Sequence, residues 1–484
     1  MKTVKALWLV PLLAVFGFGV SPCLDAATRP NVLFIAVDDL NNDLGCYGHS
    51  LVQSPHIDRL ARRGVVFERA YCQYPVCNPS RSSFLTGLYP HQTGVLSNAG
   101  DFRKKLPDVV TLPQLFRKNG YFVARVGKLY HYGVPTQIGT NGKDDPASWE
   151  EVVNPRGRDK DDEDLIQSIA PHRNFGGTLS WLAADGADDE QTDALGAQAL
   201  VEFLEKHHPE RSGKPFFLAM GFYRPHTPFV APKKYFALYP RGKIELAEDP
   251  PDDRDDIPRA ALADRPHQLA MSDDRQREVI QAYYASITFM DAQVGRLLDA
   301  LERLKLEKST IIVFVSDHGY HLGRHGLWQK GDLFEGSCRA PLIIADPRKA
   351  ATAGRRTRGI TEFVDIYPTL VELCGLPAPG HLAGRSLAPL LDDPSRAGKP
   401  AAFTVTHSRV RLSSDRPRKR FLGYTVRTDR YRYTEWGDRA EFGVELYDHA
   451  KDPHEHVNLA RQAEHRPTLA RLAKVLAERK RVGR

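Results

Sequence analysis

Four short apolar runs, each ending abruptly in residues able to do chemistry, constrain this chain more than any other feature. Residues 31–37 (NVLFIAV) are continuously apolar, rich in β-branched side chains and too few for a helix. Such a run reads as a strand buried on both faces, the pattern of a parallel sheet. Residues 120–128, 214–221 and 310–315 read the same way, and 341–345 adds a further strand. Beyond the ends of the four lie Asp38-Asp39, Lys128 with His131, the segment Phe222–Phe229 with His226, and Ser316-Asp317-His318. In open α/β sheets ligands gather beyond the carboxyl ends of the strands. Helical spacing over 54–64, 111–119, 193–206, 277–304 and 363–374 supplies the layers that would cover such a sheet.

Taken singly, each cluster has a plain structural reading. Adjacent aspartates after a strand are most often a turn or a helix cap. A lysine and a histidine in a loop ordinarily face solvent, and a histidine among prolines is held by its turn. Paired carboxylates are also hard oxygen ligands for calcium or magnesium. The stretch 76–87, VCNPSRSSFLTG, places Pro79 in a first helical turn, where its missing N–H costs nothing. Cys77 then sits at a helix N-terminus, a setting that favours negative charge. A lone cysteine there is ordinarily a buried core residue.

The spacing Cys-x-Pro-Ser-Arg followed by Leu-Thr-Gly resembles the activation motif of the type I sulfatases. The other clusters follow in that family's order over essentially the whole chain. The resemblance implies an alkaline-phosphatase-like α/β fold with a large, mostly parallel sheet flanked by helices and a smaller C-terminal antiparallel subdomain. It implies hydrolysis of sulfate esters after Cys77 is oxidised to Cα-formylglycine, whose hydrate is the nucleophile. It assigns a divalent cation, usually Ca2+ with Mg2+ as the alternative, to Asp38, Asp39, Cys77, Asp317 and His318. Arg81 and Lys128 would neutralise the nucleophile's oxygens, His131 would take its remaining proton, and Lys330 and His226 would serve the leaving oxygen. His318 stands where most members have Asn, and the iduronate-2-sulfatase branch is the one similar here. Asn78 at the motif's variable position, Val123 in place of Ser or Thr and Arg324 in place of Glu are departures.

Composition sets the remaining bounds. The 484 residues carry a formal net charge of +7, modest for this length and compatible with an anionic substrate or a plain surface. No basic-aromatic module points to nucleic acid. Lys2 and Lys5, an apolar run over 6–20 and Asp25-Ala26-Ala27 read as an export signal over 1–27. That run is too short for a membrane span, so no stable insertion is expected and the protein is exported, periplasmic or secreted. Cys23 leaves a lipoprotein alternative, against which Pro22 counts. Of six cysteines four remain for disulfides, enough for one or two bridges but not for a disulfide scaffold. The catalytic domain is expected over 28–391 and the C-terminal subdomain over 392–484. Residues 139–193 read as a long surface insertion in which Asp161–Asp164 form a solvated face, and 248–275 as a second loop. His321 and His325 read as loop residues. The expected partners are a sulfated, uronic-acid-containing carbohydrate and a formylglycine-generating enzyme. The alternatives are a phosphonate monoester or phosphodiester hydrolase of the same superfamily, and an inactive glycan-binding homologue.

Overall fold

A computed structural model describes residues 29–170, 174–408 and 421–482, so the expected export signal and Cys23 lie outside the described residues. An eight-stranded sheet forms the centre. Its strands are β1 (Asn31–Val37), β2 (Val65–Phe67), β3 (Phe122–Gly127), β4 (Glu151–Val153), β5 (Phe216–Phe222), β6 (Thr310–Ser316), β7 (Leu342–Ala345) and β8 (Arg356–Thr357), in the order β8-β2-β7-β6-β1-β5-β3-β4. Only β7 runs against its neighbours, pairing antiparallel with both β6 and β2; all other pairs are parallel.

The period-two alternation of β1 explains the layers. Leu33, Ile35 and Val37 enter one core with the helices α4 (Thr192–Lys206) and α5 (Asp273–Arg303). Val32, Phe34 and Ala36 enter the other, with α2 (Cys77–Thr86), α3 (Leu112–Lys118) and α6 (Ile366–Leu373). A further helix, α1 (Pro55–Arg63), packs on the α5 side. Every residue of β1, β5 and β6 is buried, as the continuous apolar runs require.

A separate antiparallel sheet, β9 (Ala401–His407), β10 (Leu422–Thr428), β11 (Tyr431–Trp436) and β12 (Val444–Asp448), carries the C-terminal helix α7 (Arg466–Val482). Leu472 and Leu476 of α7 are fully buried against Val405, Val426 and Leu446.

Three expectations need correction. The insertion at 139–193 contributes the edge strand β4 and the strand Ser180–Ala184, which pairs in parallel with Phe229–Pro232. Its acids behave as expected, Asp161 and Asp162 pairing with Arg156 and Arg158 on the surface. The strand expected from Val65 to Ala70 is two, because a turn separates Val65–Phe67 from Ala70–Tyr71. Cys46, Cys72, Cys77, Cys338 and Cys374 are all free and buried, so no bridge forms among the described residues. Among those residues no helix is long and apolar enough to cross a membrane.

Candidate active site

The parallel register that places Val37 beside Ser316 brings Asp38 and Asp317 to the same edge of the sheet. The Asp317 N–H donates to the Val37 carbonyl at 3.1 Å. Asp39 adopts a left-handed conformation, φ 64°. This turn is held from outside its own strand. The Asp39 N–H donates to Asp317 Oδ1 at 3.1 Å, and the Tyr283 hydroxyl of α5 donates to the Asp39 carbonyl at 2.8 Å.

Helix α2 aims its first turn at this pair. Cys77 Sγ lies 3.5 Å from His318 Nε2, 3.8 Å from Asp39 Oδ1 and 3.3 Å from Lys330 Nζ. One turn later Arg81 spends its N–H groups on the surroundings. Nε donates to Asp317 Oδ2 at 2.8 Å, Nη2 lies 3.4 Å from Asp38 Oδ1, and Nη1 donates to the carbonyls of Lys128 and Leu129. Asn78, at the motif's variable position, bonds back to the 97–100 loop, its side chain donating to the Gly100 carbonyl at 2.9 Å.

The ends of β3 and β5 approach backbone to backbone. A Cβ on Gly127, whose φ is 72°, would sit 2.3 Å from the Gly221 carbonyl oxygen, so only glycine fits there. From this crossing Lys128 reaches Asp38 Oδ2 in a fully buried ion pair. His226 follows β5 in a turn fixed by Asp193, whose two oxygens accept the Tyr223 and Arg224 N–H groups at 2.9 Å each. Asp159 of the insertion pairs with Arg224 and braces the same turn.

The ring orientations fix the tautomers. His318 Nδ1 faces the Gly319 carbonyl at 2.9 Å and His226 Nδ1 the Thr227 carbonyl at 2.6 Å. A carbonyl only accepts, so each Nδ1 carries the hydrogen and each Nε2 keeps a lone pair. His318 Nε2 is 3.3 Å from Asp39 Oδ1 and 3.4 Å from Asp317 Oδ1, and His226 Nε2 is 3.8 Å from Asp39 Oδ2. Burial drives both histidines below the usual imidazole range, with Lys330 adding to it. Burial opposes charge on Asp38, but Lys128, His226 and Arg81 hold it well below the usual carboxylate range. Asp39 is pushed up, chiefly by burial.

Asp38 Oδ1 and Asp39 Oδ2 are buried without a hydrogen-bond partner. Ligand atoms of Asp38, Cys77, Asp317 and His318 lie within 4.8 Å of one another, as do those of Asp38, Asp39, Cys77 and His226. Orphaned carboxylate oxygens facing unprotonated imidazole nitrogens repel one another unless a cation lies between them. A hard, oxygen-preferring cation fits this donor set. The Cys77 thiol is pushed far up by burial and by Asp38, so the carboxylates outweigh the helix N-terminus and the thiol keeps its proton. An unmodified Cys77 is therefore a poor nucleophile.

Nine of the ten predicted site residues are buried around this point, and Lys330 is nearly so, its side chain 11% exposed. His131 belongs to it through the fields of Lys128 and Asp38, and its Nδ1 is buried without a partner. His321 and His325, expected as loop residues, are buried instead, 3.0 Å from Asp332 and Asp253 respectively, and brace the segment that carries Lys330. Tyr283, Asp193 and Asp159 escaped the sequence reading. Each acts through contacts across long stretches of chain, and nothing in its local pattern marks it.

The sulfatase family model matches residues 30–376, and one described as N-sulphoglucosamine sulphohydrolase, C-terminal, matches 323–482. The chain is 34% identical over 456 residues to a sulfatase of Formosa agariphila, covering 89% of this chain and 83% of that one. It is 33% identical over 512 residues to iduronate 2-sulfatase of Mus musculus, covering 90% and 91%. Among solved structures, a phosphonate monoester hydrolase of Agrobacterium radiobacter superposes with a TM-score of 0.78 at 25% identity, covering 94% and 96%. With its fold, its buried carboxylate edge and its motif cysteine accounted for together, the chain belongs to the sulfatase family and is a sulfuric ester hydrolase.

Proposed function

We propose that the protein removes sulfate from uronic-acid-containing glycans, with Cys77 converted to Cα-formylglycine by a formylglycine-generating enzyme. The similarity to iduronate 2-sulfatase supports the substrate class. The observation that carries the chemistry is the pair of orphaned carboxylate oxygens beside Cys77, between two lysines. Asp38, Asp39, Asp317 and His318 would hold Ca2+, or Mg2+. The cation supplies Lewis acidity toward the sulfate oxygens, and the formylglycine hydrate supplies an oxygen nucleophile.

The chain's own residues divide the remaining work. Arg81 fixes Asp38 and Asp317 in place, and Lys128 balances Asp38. Lys330, 3.3 Å from Cys77 Sγ, offsets charge that develops at the reacting oxygens. His226 is neutral in the resting site, so as general acid it must first take up a proton at Nε2 from solvent, which it then passes to the departing sugar oxygen. His131, whose Nδ1 has no partner, accepts the proton that restores the resting site. Export with loss of residues 1–27, a catalytic domain over 28–391 and a C-terminal subdomain over 392–484 complete the reading.

The test is sulfate release from a panel of sulfated glycans by protein coexpressed with a formylglycine-generating enzyme, with Cys77→Ala as control. Release by the unmutated protein alone is expected, and the sugar that responds gives the substrate. The superposition on a phosphonate monoester hydrolase favours a second reading. Matched aryl sulfate and aryl phosphodiester separate the two: the sulfate is expected to turn over faster, and the reverse order would overturn this assignment.

A further inference from the structure

We propose that a trough of arginines along the catalytic edge of the sheet binds a sulfated polysaccharide outside the catalytic pocket; this rests on the glycan reading above. A cavity of about 520 Å³ is lined by Arg69, Arg339, Arg356, Arg358, Arg427 and Arg430. A second, of about 680 Å³, shares Arg356 and Arg358 with it and adds Arg396.

The acids on these walls are already matched. Asp429 pairs with Arg69, Glu68 lies 3.4 Å from Arg356, and Glu335 is held by Arg427 and Arg432. Arg358 and Arg396 are exposed, and their guanidinium groups form no hydrogen bond or ion pair with the described residues. The trough therefore presents two guanidinium groups whose forked donors are unengaged and suit sulfate oxygens.

Topology sets its place. Strands β2 and β8 run parallel with β1, so Arg69 and Arg358, just past their ends, emerge at the edge that carries Asp38 and Asp317. The sheet order puts β8 four strands from β1, roughly 19 Å at the usual spacing. A polymer with one end in the catalytic pocket would pass this distance along the edge. Ile360, Pro394 and Pro400 line the second cavity between the charges, and no aromatic side chain there offers a base-stacking platform. Those walls fit sugar rings carrying sulfates better than a nucleic acid.

The experiment uses full-length Cys77→Ala protein, titrated calorimetrically with a heparin-derived ten-sugar chain and with a single-stranded DNA of equal charge. Combined Arg358→Ser and Arg396→Ser should weaken heparin binding roughly tenfold or more and flatten its salt dependence. On the active background the same pair should raise KM for the polymer and leave aryl sulfate turnover unchanged. Arg358→Glu with Arg396→Glu, checked for an unaltered melting temperature, should abolish heparin binding. Unchanged heparin affinity in either variant, or equal affinity for DNA, would overturn the proposal. Heparin bound through Arg358 and Arg396 by a protein that desulfates no glycan would sink the substrate reading and leave the trough standing.

Discussion

Two buried ionic clusters in this molecule use the same residue types to different ends. At the catalytic edge, Asp38 and Asp39 each keep one oxygen without a hydrogen-bond partner, although neither is exposed to solvent. Where the body meets the C-terminal sheet, every carboxylate oxygen of Glu335 and Glu455 is satisfied. Tyr71 donates to Glu335 Oε1 at 3.0 Å, and Arg427 and Arg432 to Oε2. Arg432 and His449 reach Glu455 Oε1, and the Glu335 N–H donates to its Oε2 at 2.7 Å. The arginines hold both glutamates well below the usual carboxylate range against the cost of burial. A buried carboxylate left unpaired is expensive, so it persists where a ligand completes it. The first cluster is built to be finished by something that arrives, and the second is finished by the chain.

That contrast can be broken by substitution. Asp39→Asn removes charge from the unfinished cluster with little change of shape. Turnover should fall by about 10³-fold, with the melting temperature unchanged or raised. A melting point several degrees lower with activity retained would abolish the distinction. Arg432→Met strands two glutamates in the finished cluster and should cost about 3–5 kcal/mol of stability, read from denaturant unfolding. The aryl sulfatase activity of the protein that remains folded should be unaltered.

Glu445 sharpens the comparison because it lies between the two cases. It accepts from Trp436 Nε1 and from the Tyr447 hydroxyl at 2.9 Å but forms no ion pair with the described residues, and burial pushes it up to about 7. The folded state thus keeps a proton that the unfolded chain loses near its ordinary value of 4.5. Between those pH values the folded protein binds more protons, so this group's contribution to stability falls as pH rises and levels off above about 7. Glu445→Gln should therefore gain stability relative to the parent as pH climbs from 5 to 8. Thermal melts that shift in parallel across that range would refute this.

The same division governs what the sequence revealed. The ends of β1, β3, β5 and β6 were legible because an apolar run that stops at an aspartate or a lysine is a local pattern. The helix start at Pro79 was local too. The support of those residues was not. Asp193 lies in the first turn of α4 and reads as a helix-start acid, yet its oxygens clamp the turn before His226. Asp159 sat in a stretch without periodicity, and its burial depends on Arg224, 65 positions away. The reversed direction of β7 and the burial of His321 and His325 likewise arise from pairings between distant segments, which leave no periodic trace.

Cys77 and Arg81 lie one turn apart on α2, and Arg81 grips Asp317 from 236 positions away. The nucleophile's position relative to the carboxylates is thus referenced to a single rigid datum. Small errors in the long connecting chain do not add up along it, because a shift of the helix carries the sulfur and the clamp together. Placement of the reacting atom depends on four residues of helix geometry, which leaves the loops between free to lengthen, shorten and change their sugar without detuning the centre.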